Sequence, residues 1–172
     1  MPRTLVIMRH AKSNWDDPEL ADHDRPLAQR GREALPRLRR YLAERALPVE
    51  LVLCSSARRA RQTLDGVIEG LGAAPTVRVD QALYLASASQ LAQHLEQVDD
   101  AVSGVLLVGH NPGIEELLGL LAVAGERPAL EQLAHKVPTG ALGELTLTGS
   151  WSRLRAEGCH LDALVVPRAL PG

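Results

Sequence analysis

A histidine flanked by arginine, a cluster of arginines and a second histidine are the residues of this chain whose chemistry could be shared. Arg9 and His10 follow at once on the apolar run Thr4-Leu5-Val6-Ile7-Met8. Arg58, Arg59 and Arg61 come shortly after a second run, Leu51-Val52-Leu53-Cys54. His110 follows a third, Gly104-Val105-Leu106-Leu107-Val108, inside Gly109-His110-Asn111-Pro112-Gly113. An imidazole titrates near neutrality, and a guanidinium fork is built to grip phosphate or carboxylate. If the three runs are neighbouring strands, their ends bring guanidiniums and two imidazoles to one pocket lined by two helix N-termini. That pocket would suit a phosphate dianion, and one imidazole without a hydrogen-bonded acid could attack phosphorus. The bland alternative is a loop that happens to begin Arg-His and arginines that point outward from a solvated helix.

Other chemistries fit less well. His10 and His110 lack the carboxylate or cysteine spacing of a metal site. No G-x-S-x-G elbow supports a serine hydrolase. Asp16, Asp17, Asp22 and Asp24 crowd the stretch 11–24 without the ligand ladder of a calcium loop, so they read as a solvated acidic loop.

The elements that must position these residues alternate between strand and helix, which argues for a three-layer α/β domain. Short apolar runs bounded by polar residues predict buried strands at 4–8, 50–54, 104–108 and 161–166, with a short edge strand at 75–79. Alternation over 143–148 predicts a strand with one wetter face. Leu35, Leu38 and Leu42 set the core stripe of a helix over 28–44, where Arg32, Arg37, Arg39 and Arg40 form a solvated face. Pro36 should kink that helix or break its first turns. Ser55 and Ser56 are good N-cap residues for a helix over 57–71. Cations on that helix's first turn oppose its dipole, a placement better explained if an anion sits there. Helices are further expected at 89–98 and 114–124, the second opened by Pro112, with a connector through Pro128 and Pro138. His94 reads as a surface or packing residue.

Composition narrows the partners. The chain has 172 residues, a formal net charge of -2 and no Phe, so its core must be built from Leu, Val, Ile and Ala. Near-balanced charge and few aromatics give no reason to expect nucleic acid or a membrane surface. No apolar run approaches the roughly 20 residues of a membrane span, and strand-like sequence runs directly into charge at the N-terminus, so the expected location is the cytoplasm. Cys54 and Cys159 form no zinc or redox spacing and read as buried free thiols.

Met8-Arg9-His10-Ala11-Lys12-Ser13 resembles the Arg-His-Gly signature of the histidine phosphatase superfamily, with Ala in its third position as in the short, SixA-type phosphohistidine phosphatase branch. Arg25-Pro26-Leu27 with Gly31 resembles the R-P-L-x-x-x-G segment of that superfamily. Ser55 to Thr63 resembles S-x-x-x-R-A-x-x-T, which selects Arg59 among the three arginines, and Val108 to Pro112 resembles the last histidine motif. The resemblance implies a phosphoglycerate mutase-like α/β/α sandwich around a mostly parallel sheet, one domain over 1–172. It implies a phosphatase whose His10 becomes a phosphohistidine, with Arg9, Arg59 and His110 holding the phosphoryl oxygens and Ser13 adding a hydrogen bond. No metal and no cofactor are implied, and phosphate or sulfate should fit the site.

The proton donor departs from the family pattern. Where relatives of the acid phosphatase type have His-Asp, this chain has His110-Asn111, and Ala82 and Leu83 stand about where a Glu is expected. Asp80 or an acid of the 16–24 loop could substitute. An imidazole can leave a P–N bond already protonated, whereas an alkoxide needs an acid. A phosphorylated protein carrying phosphohistidine is therefore the expected substrate. The alternatives are a small phosphorylated metabolite, or a phosphate-binding module without turnover.

Overall fold

The computed structural model describes residues 1–172. Seven strands form one sheet: β1 (Arg3–Arg9), β2 (Leu51–Ser55), β3 (Thr76–Asp80), β4 (Gly104–Gly109), β5 (Ala122–Gly125), β6 (Leu142–Leu147) and β7 (Cys159–Val165). Their order is β3-β2-β4-β1-β6-β7-β5, and β6 alone runs against the others. The expected α/β/α sandwich on a mostly parallel sheet is therefore what the chain forms. The three strands that end in functional residues, β2, β4 and β1, lie side by side.

The helices are α1 (Gln29–Arg45), α2 (Arg58–Val67), α3 (Ala88–Glu96), α4 (Gly113–Leu121), α5 (Arg127–His135) and α6 (Leu154–Glu157). Period-two alternation divides the core between the two faces of the sheet. Val6, Met8, Val52, Cys54, Leu106 and Val108 pack with Leu35, Leu38 and Leu42 of α1 and Ala60 and Leu64 of α2. Leu5, Ile7, Leu51, Leu53, Val105 and Leu107 face the other way, onto Leu91 and Leu95 of α3 and Leu117 and Leu121 of α4. Cys54 and Cys159 are buried and unpaired, and burial pushes both thiols up to about 12. No helix is long and apolar enough to cross a membrane.

Several local expectations are corrected. Helix α1 runs unbroken through Pro36. Pro36 lies on the solvent side, between the buried Leu35 and Leu38, so core packing outweighs its missing N–H. The 114–124 helix stops at Leu121 and the chain turns into β5, which pairs with β7 more than thirty residues away. The stretch taken as a connector contains α5, with Pro128 in its first turn where no N–H is missed. Neither Ser55 nor Ser56 caps α2, whose N-cap is Ala57. The predicted wet face of β6 holds the buried Glu144.

Candidate active site

Parallel pairing of β1 with β4 places Arg9 opposite Gly109, so the next residue on each strand is a histidine. His10 N–H donates to the Gly109 carbonyl at 3.0 Å, and the His10 and His110 rings lie 5.1 Å apart between centroids. Both are buried. Nδ1 of His10 lies 2.7 Å from the Ala11 carbonyl. A carbonyl can only accept, so the proton is on Nδ1 and Nε2 carries the ring's in-plane lone pair. Arg59 Nε–H donates to that Nε2 at 3.3 Å.

The segment carrying His10 is fastened from two sides. Ala11 N–H donates to Thr63 Oγ1 at 3.0 Å, and the Thr63 hydroxyl donates to the Arg59 carbonyl at 2.7 Å. One residue of α2 thus ties the histidine to the arginine one turn earlier. On the other side, α1 passes so close that a Cβ on Gly31 would stand 2.2 Å from the Lys12 carbonyl oxygen. Only glycine permits that approach.

Arg59 is the arginine of its cluster that turns inward, 4% exposed, while Arg58 and Arg61 face solvent. Its Nη1 donates to the Asp22 carbonyl at 2.7 Å and its Nη2 to Asp22 Oδ2 at 3.0 Å. The Tyr84 hydroxyl donates to the same carboxylate oxygen. Burial works against charge on Asp22, but the Tyr84 phenol and Arg59 outweigh it and hold the carboxyl below its usual range. Tyr84 also stands edge-on to His110, 5.4 Å between centroids.

His110 Nε2 lies 2.7 Å from Ser55 Oγ, and its buried Nδ1 has no hydrogen-bond partner. Burial, reinforced by His10 and Arg59, pushes His110 down to about 3. Burial also takes His10 down to about 4; the Ala11 carbonyl opposes this, and Arg59 and Arg9 add to it. Both imidazoles are therefore neutral at pH 7. Arg9 donates from Nη1 to the Val137 carbonyl at 3.0 Å, and its Nε is buried without a partner.

Four residues named from the sequence, Arg9, His10, Arg59 and His110, thus lie at adjoining strand and helix ends. Ser13 does not join them by hydrogen bond: its hydroxyl accepts from Trp15 Nε1 at 3.0 Å. Asp80 is exposed on the edge strand and accepts from the Ala82 N–H at 2.8 Å. The carboxylate brought to Arg59 is Asp22, from the acidic loop that reads in the sequence as solvated but also as a possible source of the missing acid. Sequence reasoning missed Tyr84 and the part played by Ser55. Ser55 ends β2 next to His110's strand; the sequence marked it as the first residue of the S-x-x-x-R-A-x-x-T segment and as a cap, not as a partner of His110.

Chemically, a neutral imidazole with a fixed tautomer beside guanidiniums and a second imidazole can attack an anionic phosphorus while its oxygens are held. Residues 5–84 match the histidine phosphatase superfamily (branch 1). An uncharacterized protein of Mycobacterium tuberculosis, Rv1276c, is 36% identical over 163 residues, spanning 94% of this chain and all of its own length. Among solved structures, the candidate phosphohistidine phosphatase SixA of Nakamurella multipartitia superposes with a TM-score of 0.82 at 31% identity, covering 97% of each chain. The corresponding candidate from Agrobacterium tumefaciens gives 0.78 at 27% identity, covering 97% of this chain and 100% of its own.

Proposed function

The chain belongs to the histidine phosphatase superfamily, in its SixA-type branch, and we propose that as a phosphatase it hydrolyses phosphohistidine in a cytoplasmic signalling protein. Nε2 of His10 attacks phosphorus, and the P–N bond of the substrate breaks. Its electron pair goes to the leaving imidazole, which departs neutral when its other nitrogen already carries a proton. Arg9, Arg59 and the Nδ1 of His110 hold the phosphoryl oxygens as charge shifts onto them. Water then attacks the phosphorus on His10, the Nε2–P bond breaks, the water's proton passes to solvent, and phosphate is released.

The observation that carries this reading is the His10 Nδ1–H bond to the Ala11 carbonyl, which leaves Nε2 as the lone-pair nitrogen beside Arg59. Asp22 supports the choice of a P–N bond. Held ionised by Tyr84 and Arg59, it is a poor proton donor for an alkoxide. The phosphoryl group would take over its hydrogen bonds to Arg59.

Phosphate release from a phosphohistidine peptide and from p-nitrophenyl phosphate, with chelator present, tests the proposal. Wild type should release phosphate faster from the peptide, and His10→Ala should lose at least about a thousandfold in rate. Equal rates for the variant would overturn the role of His10. Faster ester hydrolysis would instead favour a small phosphorylated metabolite, with Asp22 as the acid.

A further inference from the structure

Helix α1 carries arginines of two kinds. Arg32 donates to the Leu27 carbonyl, Arg39 pairs with Glu69, Arg40 reaches the Gly172 carbonyl and Arg45 binds Glu144. Arg30 and Arg37 have no such partner. They stand two turns apart, and with Glu33 and Ala34 they form one i, i+3, i+4, i+7 stripe. That stripe is a wall of a groove of about 290 Å³. Lys12 and Ala11 line it from the segment after His10, Pro138 and Thr139 from the loop before β6, and Arg168 from the C-terminal turn.

Lys12, Arg30, Arg37 and Arg168 therefore meet from three separate parts of the chain, and none of them is in an ion pair. The only acid on the groove is Glu33, which accepts a hydrogen bond from Gln29. Gathering like charges works against folding, in a chain whose net charge is -2. Such a cluster is balanced when an anion occupies it. The groove is also tied to the site through the backbone, since the carbonyl of its residue Ala11 accepts from His10 Nδ1.

We propose that this groove docks an acidic segment of the phosphorylated protein, close to the side chain presented to His10. The inference rests on the phosphohistidine reading and names its substrate class: a protein with several carboxylates near the phosphorylated histidine. Exposed charges of this kind act on encounter and on KM more than on the chemical step.

The test uses two phosphohistidine peptides of one core sequence, flanked by four glutamates or by four glutamines, and the double variant Arg30→Glu/Arg37→Glu. Arg30 is exposed and Arg37 partly buried on the groove wall, and both lie outside the catalytic cluster. At low salt, wild type should favour the Glu-flanked peptide about tenfold in kcat/KM, the sum expected of a few exposed ion pairs. The variant should lose that preference through KM, with kcat and the Gln-flanked peptide unchanged. Arg168→Glu, on a separate turn, should move the preference the same way and guards against a folding defect in α1. Binding of the unphosphorylated Glu-flanked peptide, followed by fluorescence anisotropy, should weaken in both variants without any turnover being needed. If wild type turns over neither peptide, the phosphohistidine reading fails and anisotropy alone decides the docking site. Equal binding by wild type and both variants, or binding of inorganic phosphate but not the acidic peptide, would overturn the proposal.

Discussion

Glu144 and His110 are both ionisable side chains in the core, 2% and 3% exposed, and the structure treats them in opposite ways. Glu144 is closed on every side. Tyr41 donates to its Oε1 at 2.6 Å, and Arg45 reaches across both oxygens, Nη2 to Oε2 at 2.8 Å. Burial raises the Tyr41 phenol, and its bond to Glu144 raises it further. Around His110, by contrast, Nδ1 has no partner, and the neighbouring Arg59 is shared between His10 and a half-exposed Asp22. A buried polar atom normally has at least one partner, and His110 Nδ1 has none. Completion marks Glu144 as a strut between α1 and β6, whereas the open Nδ1 of His110 suits the proposed role of completing itself on a phosphoryl oxygen.

That contrast predicts a double dissociation. Glu144→Ala should cost about 3 kcal/mol of stability, at the low end for a broken buried pair because Arg45 is half exposed and can return to water. Its kcat per folded molecule should stay near wild type. His110→Ala should cost less than half as much in denaturant melts, while lowering kcat about a hundredfold, as loss of one preorganised donor does. A large stability loss from His110→Ala with little loss of rate would collapse the distinction.

The two histidines also tie the site to pH. An unfolded histidine titrates near 6.5, while His10 and His110 stay neutral down to about 4 and about 3. As pH falls below 6.5 the unfolded chain takes up protons that the folded chain refuses, so stability declines. The slope approaches about 1.4 kcal/mol per pH unit for each histidine. Above 6.5 neither contributes. Urea melts between pH 7.5 and 5 should therefore show a steeper loss for wild type than for the His10→Ala/His110→Ala double variant. Parallel slopes would mean that burial is not holding these rings neutral.

The reach of sequence reasoning divides along similar lines. Arg9, His10 and His110 were legible because they follow directly on apolar runs, and strand ends next to helix starts are local patterns; Arg59, inside α2, was singled out from its neighbours only by the family motif. Their convergence needed only that β2, β4 and β1 be neighbours. Glu144 was misread because alternation gives a strand two faces without saying what covers each, and here Tyr41 and Arg45 arrive from a helix a hundred residues earlier. Strand β5 was missed for the same reason, since Ala122 to Gly125 become a strand only by pairing with β7. Asp22 and Tyr84 meet over Arg59 from loops about sixty residues apart, which no local spacing announces.

Ser55 provides the finest test of the contrast, because it holds the one partner that His110 does have. Its Oγ accepts from the Ala57 N–H at 3.3 Å, so its own proton is free to point at His110 Nε2, 2.7 Å away. An Nε2 that accepts forces the proton of the neutral ring onto Nδ1, and this makes the unpartnered nitrogen a donor toward a phosphoryl oxygen. With the hydroxyl donating in this way, Ser55 would be a positioning residue, selecting the tautomer without touching substrate. Ser55→Ala should lower kcat about tenfold, the kinetic equivalent of one hydrogen bond, with KM little changed. The imidazole nitrogen spectrum of His110 should shift toward the Nε2–H form in the same variant. A merely structural serine would change melting temperature but leave that spectrum and kcat as they are. A rate loss without the tautomer shift would mean that Ser55 acts by packing, and that the orientation of His110 is set by Tyr84 at its edge.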